Sequence, residues 1–139
     1  MKIKYTEKIT KGLEKEMGAI FEEHEKNFDI LCNFKKFGFT IKNQNKELLA
    51  GVTGYTAFSE VHIDDICVKK DCRNKKYGTL LLKKVEEYFQ KKGFDNINLF
   101  TNEFQAPEFY KKCGFELEFV RKHQKNTKFN KYYFVKKLN

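Results

Sequence analysis

Hydrophobic positions recur at three- and four-residue steps in two stretches of the chain, and this spacing predicts two amphipathic helices. The first stretch follows Thr6 or Thr10, either of which is a suitable helix cap, and its apolar stripe is Leu13, Met17, Ile20, Phe21, His24 and Phe28. The second stripe is Leu81, Leu82, Val85, Tyr88 and Phe89, with Gly93 expected to end the helix. A third, shorter helix is predicted over 106–113, since Pro107 suits a first turn and Gly114 a stop.

Runs of apolar and β-branched residues predict the strands, at 2–5, 30–42, 47–59, 61–70, 96–101, 115–122 and 132–138. The polar link 43–46 suits a hairpin turn. Gly51 and Gly54 lie inside a strand, where glycine often marks a bulge or a close backbone approach. The order β-α-β-β-β-α-β-α-β-β indicates an α/β fold with a mixed sheet and a right-handed crossover. A chain of 139 residues suits one domain, 1–139.

The formal net charge of +9 has three open interpretations: a polyanionic partner such as nucleic acid, lysines that are simply solvated, or a phosphate-rich cofactor. No C-x-x-C pair occurs among the four cysteines, so a zinc site is not expected, and no metal is predicted. The N-terminus lacks an apolar segment and no run approaches 18 apolar residues. We therefore expect a cytoplasmic protein that does not enter the membrane.

The segment 68–82 combines a strand end, a basic loop and a helix start, in the sequence VKKDCRNKKYGTLLL. A helix N-terminus presents free backbone N–H groups and a partial positive charge, which together bind phosphate. Gly78 allows the backbone to approach an anion, and Arg73, Lys75 and Lys76 add positive charge. A capped helix behind a solvated basic loop is the alternative. The Walker phosphate motif and the dinucleotide fingerprint are both absent.

Two motifs in this half of the chain resemble those of the GNAT acetyltransferase superfamily. The loop RNKKYGT, residues 73–79, resembles the family's pyrophosphate loop, R/Q-x-x-G-x-G/A, and FQAPEFYKKCGF, residues 104–115, resembles A-x-x-F-Y-x-K-x-G-F. The resemblance implies the GNAT acyl-CoA N-acyltransferase fold, acetyl-CoA as co-substrate and an amine as acceptor. The residues it places at acetyl-CoA are Ile66, Cys67, Val68, Arg73, Asn74, Lys75, Lys76, Tyr77, Gly78, Thr79, Gln105, Pro107 and Tyr110. Lys76 replaces the loop's first glycine, so its backbone either avoids a positive φ or is slightly strained.

The resemblance also implies catalytic roles. It places a strand bulge near Cys67 and Val68, where freed N–H groups would hold the thioester carbonyl. Tyr110 matches the family's general acid, with a core aromatic as the alternative. Asp64 is the first candidate for the base and His62 the second, and a purely structural role remains open for each. Strand alternation predicts one face shared by His62, Asp64, Ile66 and Val68.

Three hypotheses for function follow. The first is acetyl transfer from acetyl-CoA to a primary amine of a small molecule through a ternary complex, and the second is a protein or peptide N-acetyltransferase. The third is a basic nucleic-acid-binding module, for which no docking motif is found. The polar segment 124–131 is expected to form a loop over the acceptor site and to set specificity. Pairing through the C-terminal strands would allow a homodimer.

Overall fold

The computed structural model describes all residues from 1 to 139, which divide into two compact units, 1–33 and 34–139. The first unit contains helix α1, Lys11–Lys26, which begins at Thr10 because the Thr10 hydroxyl accepts a hydrogen bond from the Leu13 N–H. Residues 2–5, predicted as a strand, form no regular element, and Ile3 and Tyr5 are almost fully exposed. A strand needs a neighbour to pair its backbone groups, and this segment has none.

The second unit is built on a six-stranded mixed sheet. Its strands are β1 Lys35–Lys42, β2 Leu48–Ala57, β3 Glu60–Val68, β4 Asn96–Asn102, β5 Glu116–Arg121 and β6 Lys131–Lys137. Their spatial order is β1-β2-β3-β4-β6-β5, and only the β3–β4 pair is parallel. The fold class is confirmed, as a mixed α/β arrangement whose first element is a helix.

Helix α2, Tyr77–Phe89, makes the crossover between β3 and β4 and supplies one side of the core. Its buried side chains are Leu81, Leu82, Val85 and Phe89, which confirms the predicted stripe, although Tyr88 is half exposed. They pack against apolar residues of one sheet face: Val52, Val61, Ile63, Ile97, Leu99 and Phe134. The helix ends earlier than expected, with Gln90 as its C-cap, and Gly93 adopts φ +90° in the turn that follows. Burial of these four large side chains is a substantial apolar contribution to the stability of this unit.

Helix α3, Pro107–Lys112, is a short helix with proline at its first position, as predicted. It places Tyr110 in the core, where the ring contacts Phe115 and Phe134. No helix in the chain has both the length and the apolar character needed to cross a membrane.

Candidate active site

The sheet opens between its two parallel strands. Strands β3 and β4 pair only through Glu60–Asn96, Val61–Ile97 and His62–Asn98. Beyond His62, β3 keeps its partner β2 on one side, while its edge toward β4 has no strand partner up to Val68. Backbone groups along that edge are therefore available to a ligand.

A bulge lies where the opening begins. Thr53 of β2 pairs with Asp65 and the next residue, Gly54, pairs with Ile63, so Asp64 is the extra residue on β3. The bulge was expected near Cys67 and Val68, and that expectation is wrong. Those two residues pair regularly with Gly51 and Ala50.

The bulge also changes which residues share a face. Val61 and Ile63 are buried in the core, and after the extra residue Ile66 and Val68 face the same core. His62 therefore lies on the opposite face from Ile66 and Val68, which corrects the simple alternation predicted above. Cys67 is exposed.

Helix α2 begins directly at the predicted phosphate loop. Its N-cap position is Lys76, and no side chain caps the first turn, so the N–H groups of Tyr77, Gly78 and Thr79 are left without an intrahelical partner. Arg73, Lys75 and Lys76 form no ion pair in the chain. This end of α2 thus concentrates free donors and unpaired positive charge, which is suited to an anion.

Two residues of the loop have left-handed backbone conformations. Asn74 adopts φ 71° and Lys76 adopts φ 62°, ψ 25°. Asparagine tolerates this region well, whereas lysine does so at a cost of roughly 1–2 kcal/mol. Of the two alternatives left open for Lys76, the structure shows the strained one. Arg73 folds back so that its Nε lies 3.4 Å from the Val68 carbonyl oxygen, which holds the guanidinium beside the end of β3.

The start of α2 packs against α3. A Cβ on Gly78 would lie 3.0 Å from Cζ of Phe109, so the absence of a side chain at Gly78 lets the two helices approach closely. One residue later, the Thr79 hydroxyl lies 3.9 Å from the Cys113 sulfur. The two motifs of the sequence are therefore brought into contact.

Tyr110 is 8% exposed, and its surroundings alter its acidity. Burial, with a smaller contribution from the charge of an ionised Cys113 thiol, raises the pKa of the Tyr110 phenol to about 12. Burial likewise raises the pKa of Cys113, against smaller opposing effects of the Thr79 hydrogen bond and the Lys136 charge. The Tyr110 hydroxyl thus stays protonated throughout the neutral range and is available as a donor.

His62 and Asp64 lie together at the closed end of the opening. The His62 Nε2 atom is 3.8 Å from Asp64 Oδ1, while Nδ1 is 2.7 Å from Asn98 Oδ1. The imidazole is 21% exposed and is flanked by the rings of Tyr55 and Phe100. Asp64 is 49% exposed. The two candidate bases are therefore neighbours. The His62 imidazole is fixed by its hydrogen bond to Asn98, whereas the Asp64 carboxylate is half exposed to solvent.

Gln105 and Pro107, two further residues predicted to contact acetyl-CoA, lie where the chain passes from β4 into α3. The Gln105 side chain accepts a hydrogen bond from the Asn102 N–H at 3.1 Å, within a capping box, so it already has a structural role. Ala106 adopts φ 71° and Pro107 opens α3. These positions turn the chain from β4 so that α3 meets the start of α2.

The motifs, their contact and the strand opening all agree with one family. The sequence profile of the Acetyltransferase (GNAT) family matches residues 7–115. The chain belongs to the GNAT acetyltransferase family. Members of this GNAT family use acetyl-CoA, whose pyrophosphate is the kind of anion that the start of α2 is suited to bind.

Several solved structures share this fold. An acetyltransferase from Bacillus cereus ATCC 14579 is 28% identical, with a TM-score of 0.78 and coverage of 97% of this chain and 98% of that one. A putative acetyltransferase from Agrobacterium tumefaciens is 18% identical, with a TM-score of 0.83 and coverage of 99% and 100%. Mutant forms of the spermidine/spermine N-acetyltransferase SpeG from Vibrio cholerae are 16% identical, with a TM-score of 0.58 and coverage of 86% and 75%. No curated protein sequence matches the chain significantly.

Two cavities lie in this unit. One, of about 400 Å³, is on the His62 face and is lined by residues of β3 to β6 that include Glu60, Asn98, Phe100 and Tyr133. The other, of about 460 Å³, is formed by the β5–β6 connection, and its lining includes the cationic residues Arg121, Lys122, Lys125 and Lys131. The predicted loop 124–131 is thus part of a basic cavity. No group of three or more histidine, cysteine or acidic side chains is arranged to hold a metal ion.

Asn96 and Asn98 were not predicted as site residues. Both lie in the strand run 96–101, where alternation puts their side chains on one face and those of Ile97 and Leu99 on the other. Asparagine at alternate positions of a central strand is unusual, because its amide must find partners when buried. That pattern is the signal in the sequence that points to a polar network behind His62.

Proposed function

We propose that this GNAT-family chain transfers an acetyl group from acetyl-CoA to a primary amine of a small molecule, by direct attack within a ternary complex. The observation that carries the proposal is the uncapped start of α2 beside the unpaired edge of β3. The start of α2 is suited to a pyrophosphate, and the unpaired edge of β3 is suited to an extended chain that forms hydrogen bonds with the backbone. Acetyl-CoA has both parts and supplies the activated acetyl group.

The residues present fit this co-substrate. Arg73, Asn74, Lys75 and Lys76 and the N–H groups of Tyr77, Gly78 and Thr79 would hold the pyrophosphate, because they are cationic or lack hydrogen-bond partners. Ile66, Cys67 and Val68 would bind the pantetheine arm along the unpaired edge. Gln105 and Pro107 would border the site by supporting the start of α3.

In this proposal Tyr110 assists the departure of the coenzyme A thiolate when the thioester bond breaks. Full proton transfer from a phenol whose pKa is about 12 to a thiolate, whose thiol has a pKa near 8.5, is unfavourable. Tyr110 therefore acts as a hydrogen-bond donor that stabilises negative charge developing on sulfur. Because Tyr110 is in the core beneath the sheet and His62 is on the other face, donor and base approach the opening from opposite sides.

The acceptor amine is proposed to enter from the His62 face. Asp64 binds its ammonium form, since the carboxylate is exposed at the bulge, and His62 removes a proton before attack. The cavity of about 400 Å³ on this face has the size of a small-molecule site. Most of its lining is polar or charged, and the acidic side chains of Glu60, Asp95 and Glu118 suit a cationic amine. This observation favours a small-molecule acceptor over a protein.

The proposal is tested first by the melting temperature with acetyl-CoA, with coenzyme A and ATP for comparison. At 100 times its dissociation constant the ligand is expected to add about 2.7 kcal/mol to the free energy of unfolding, a shift of several degrees. Gly78→Glu places a carboxylate among the free N–H groups and is expected to abolish the shift. Gly18→Glu controls for the added charge alone, because a side chain at Gly18 would meet nothing within 4 Å, whereas a Cβ at Gly78 would lie 3.0 Å from Phe109 Cζ. The melting temperature of Gly78→Glu without ligand therefore shows whether the variant is folded.

An amine screen follows, with release of free thiol as the readout and Tyr110→Phe as the catalytic control. Small mono- and diamines are expected to be acetylated faster than peptides. Absence of a melting shift with acetyl-CoA would refute the co-substrate assignment. A shift accompanied by transfer only to peptide amines would instead support a peptide N-acetyltransferase.

A further inference from the structure

A connected set of hydrogen bonds extends from His62 across the sheet face. Asn98 Oδ1 lies 2.7 Å from His62 Nδ1, and Asn98 Nδ2 donates to Asn96 Oδ1 at 2.9 Å. Asn96 Nδ2 donates to two carboxylates, Glu60 Oε2 at 2.9 Å and Asp95 Oδ2 at 2.7 Å. Asn96 is only 4% exposed, so its amide depends on these partners.

The chemistry of the two carboxylates determines the direction of every bond in this set. An ionised carboxylate only accepts, so the side of Asn96 that faces Glu60 and Asp95 must be its NH₂ group. The Asn96 oxygen then accepts from the Asn98 NH₂, and the Asn98 oxygen must face His62. A flipped amide at either position would bring two acceptors together.

We infer that Asn98, oriented by Asn96, fixes the proton of neutral His62 on Nδ1 and so makes Nε2 the general base for the acceptor amine. The Asn98 oxygen can only accept, so the His62 Nδ1 atom must donate and carries the proton. The unprotonated Nε2 then faces Asp64, the bulge residue that lies two positions beyond the last β3–β4 pair. Asn98 is a positioning residue, and this inference rests on the proposed function.

The proton balance follows from these positions. The ammonium of the acceptor gives one proton to His62 Nε2, and its nitrogen lone pair forms the bond to the acetyl carbon as the carbon–sulfur bond breaks toward sulfur. The second nitrogen proton restores the thiol, with Tyr110 as hydrogen-bond donor to the sulfur, and the His62 proton passes to solvent. One ammonium and one thioester thus give one amide, one thiol and one proton.

A second histidine provides an internal reference for the test. His123 Nδ1 accepts hydrogen bonds from the backbone N–H groups of Lys125, at 3.2 Å, and Asn126, at 2.9 Å. Its neutral ring must therefore carry the proton on Nε2, opposite to His62. One nitrogen-15 spectrum of the histidine rings is expected to show both tautomers, with the His62 signals identified by their loss in His62→Gln.

The test combines that spectrum with kinetics. Asn98→Ala is expected to move the neutral His62 proton to Nε2, to lower kcat about 10- to 100-fold at neutral pH and to leave acetyl-CoA affinity unchanged. Asn98→Asp keeps an acceptor opposite Nδ1 and is expected to retain the wild-type tautomer. Its second oxygen replaces the donating NH₂ and faces Asn96 Oδ1, so a lower melting temperature is expected. Asn45→Ala is the control, because Asn45 is an exposed residue of the β1–β2 turn.

The pH dependence separates base catalysis from a structural effect. His62→Gln is expected to lose about 100-fold in kcat at neutral pH and to recover at high pH, where the acceptor ammonium loses its proton without a base. The titratable and charged groups around His62 belong to five segments and are Asp64, Glu60, Tyr55, Asp95, Glu118, Lys131, Tyr133 and Lys137. Their contributions are common to wild type and Asn98→Ala, so the difference between the two pH profiles reports the tautomer.

Two results would overturn the inference: a wild-type His62 ring protonated on Nε2 when neutral, or an Asn98→Ala protein with unchanged tautomer and kcat. A different result would refute the proposed function. If wild type binds no acetyl-CoA and acetylates no amine while His62 carries its proton on Nδ1, the acetyltransferase assignment fails. The catalytic use of His62 then fails with it.

Discussion

A Cβ on Gly54 would overlap the backbone carbonyl oxygen of His62, across the β2–β3 pair. Gly54 is the residue at which the register shifts, so its lack of a side chain is what allows β3 to bulge at Asp64. The same glycine thereby positions His62 at the closed end of the strand opening.

Gly54→Ala is accordingly expected to lower the free energy of unfolding by about 2–4 kcal/mol, since the obstructing atom is backbone and cannot rotate away. Gly51→Ala in the same strand is the matched control. Its Cβ would meet only the Phe39 oxygen at 3.7 Å and the Leu48 side chain at 3.8 Å, so a change within about 1 kcal/mol is expected. Urea titration of both proteins measures the difference, and equal losses would contradict the role given to Gly54.

Lys76→Gly is expected to stabilise the protein by about 0.5–1 kcal/mol, because Lys76 adopts φ 62° and glycine enters that region without steric cost. Lys75→Gly removes the same charge one residue earlier, where φ is not positive, and is expected to give no gain. Thermal unfolding of the pair checks the prediction. Stabilisation of both variants would mean that charge repulsion in the loop, and not backbone strain, is relieved.

Tyr110 is expected to make the fold sensitive to alkali. Burial raises its pKa to about 12 in the folded chain, whereas an unfolded tyrosine ionises near pH 10. Between these values the unfolded chain has already lost the proton, so rising pH favours unfolding, and about 2–3 kcal/mol of stability is lost across that window. Below pH 10 this contribution is constant.

Tyr110→Phe removes the titrating group and retains the ring, so the variant is expected to lose less stability than wild type between pH 10 and 12. Denaturant unfolding at several pH values in this range provides the measurement. If the free energy of unfolding falls with pH by the same amount in both proteins, the Tyr110 hydroxyl is not buried in the way described.

The basic cavity of the β5–β6 connection is expected to disfavour polycationic acceptors. Lys131 places its Nζ 4.7 Å from the centre of the Phe100 ring, and that ring lies 6.3 Å from the His62 ring, so this charge is near the proposed acceptor site. Lys131→Glu is expected to raise kcat/KM for a triamine relative to a monoamine by about fivefold, which corresponds to about 1 kcal/mol.

The control for this prediction is Lys83→Glu, which makes the same charge change at an exposed position of α2. An effect of equal size in both variants would indicate a response to net charge. A preference changed only by Lys131→Glu would support acceptor selection by the β5–β6 connection.

Much of the architecture was determined by the sequence alone, because its signals are local. The core stripe of α2, the hairpin turn at 43–46 and Pro107 at the start of α3 follow from periodicity and from the φ preferences of single residues. The phosphate-binding role proposed for the segment before Gly78 depends only on a basic loop entering a helix, and it stays a prediction. The roles proposed for Tyr110 and Asp64 follow from the family resemblance and remain predictions.

The tertiary structure alone decided which residues meet. The hydrogen bond between His62 and Asn98 joins residues 36 positions apart, and it exists because β3 and β4 are parallel neighbours in one register. The bulge at Asp64 reversed the predicted alternation, since one extra residue exchanges the faces of all that follow. Strand register and helix contacts are set by packing across the whole sheet, and local propensity along the chain carries no information about them.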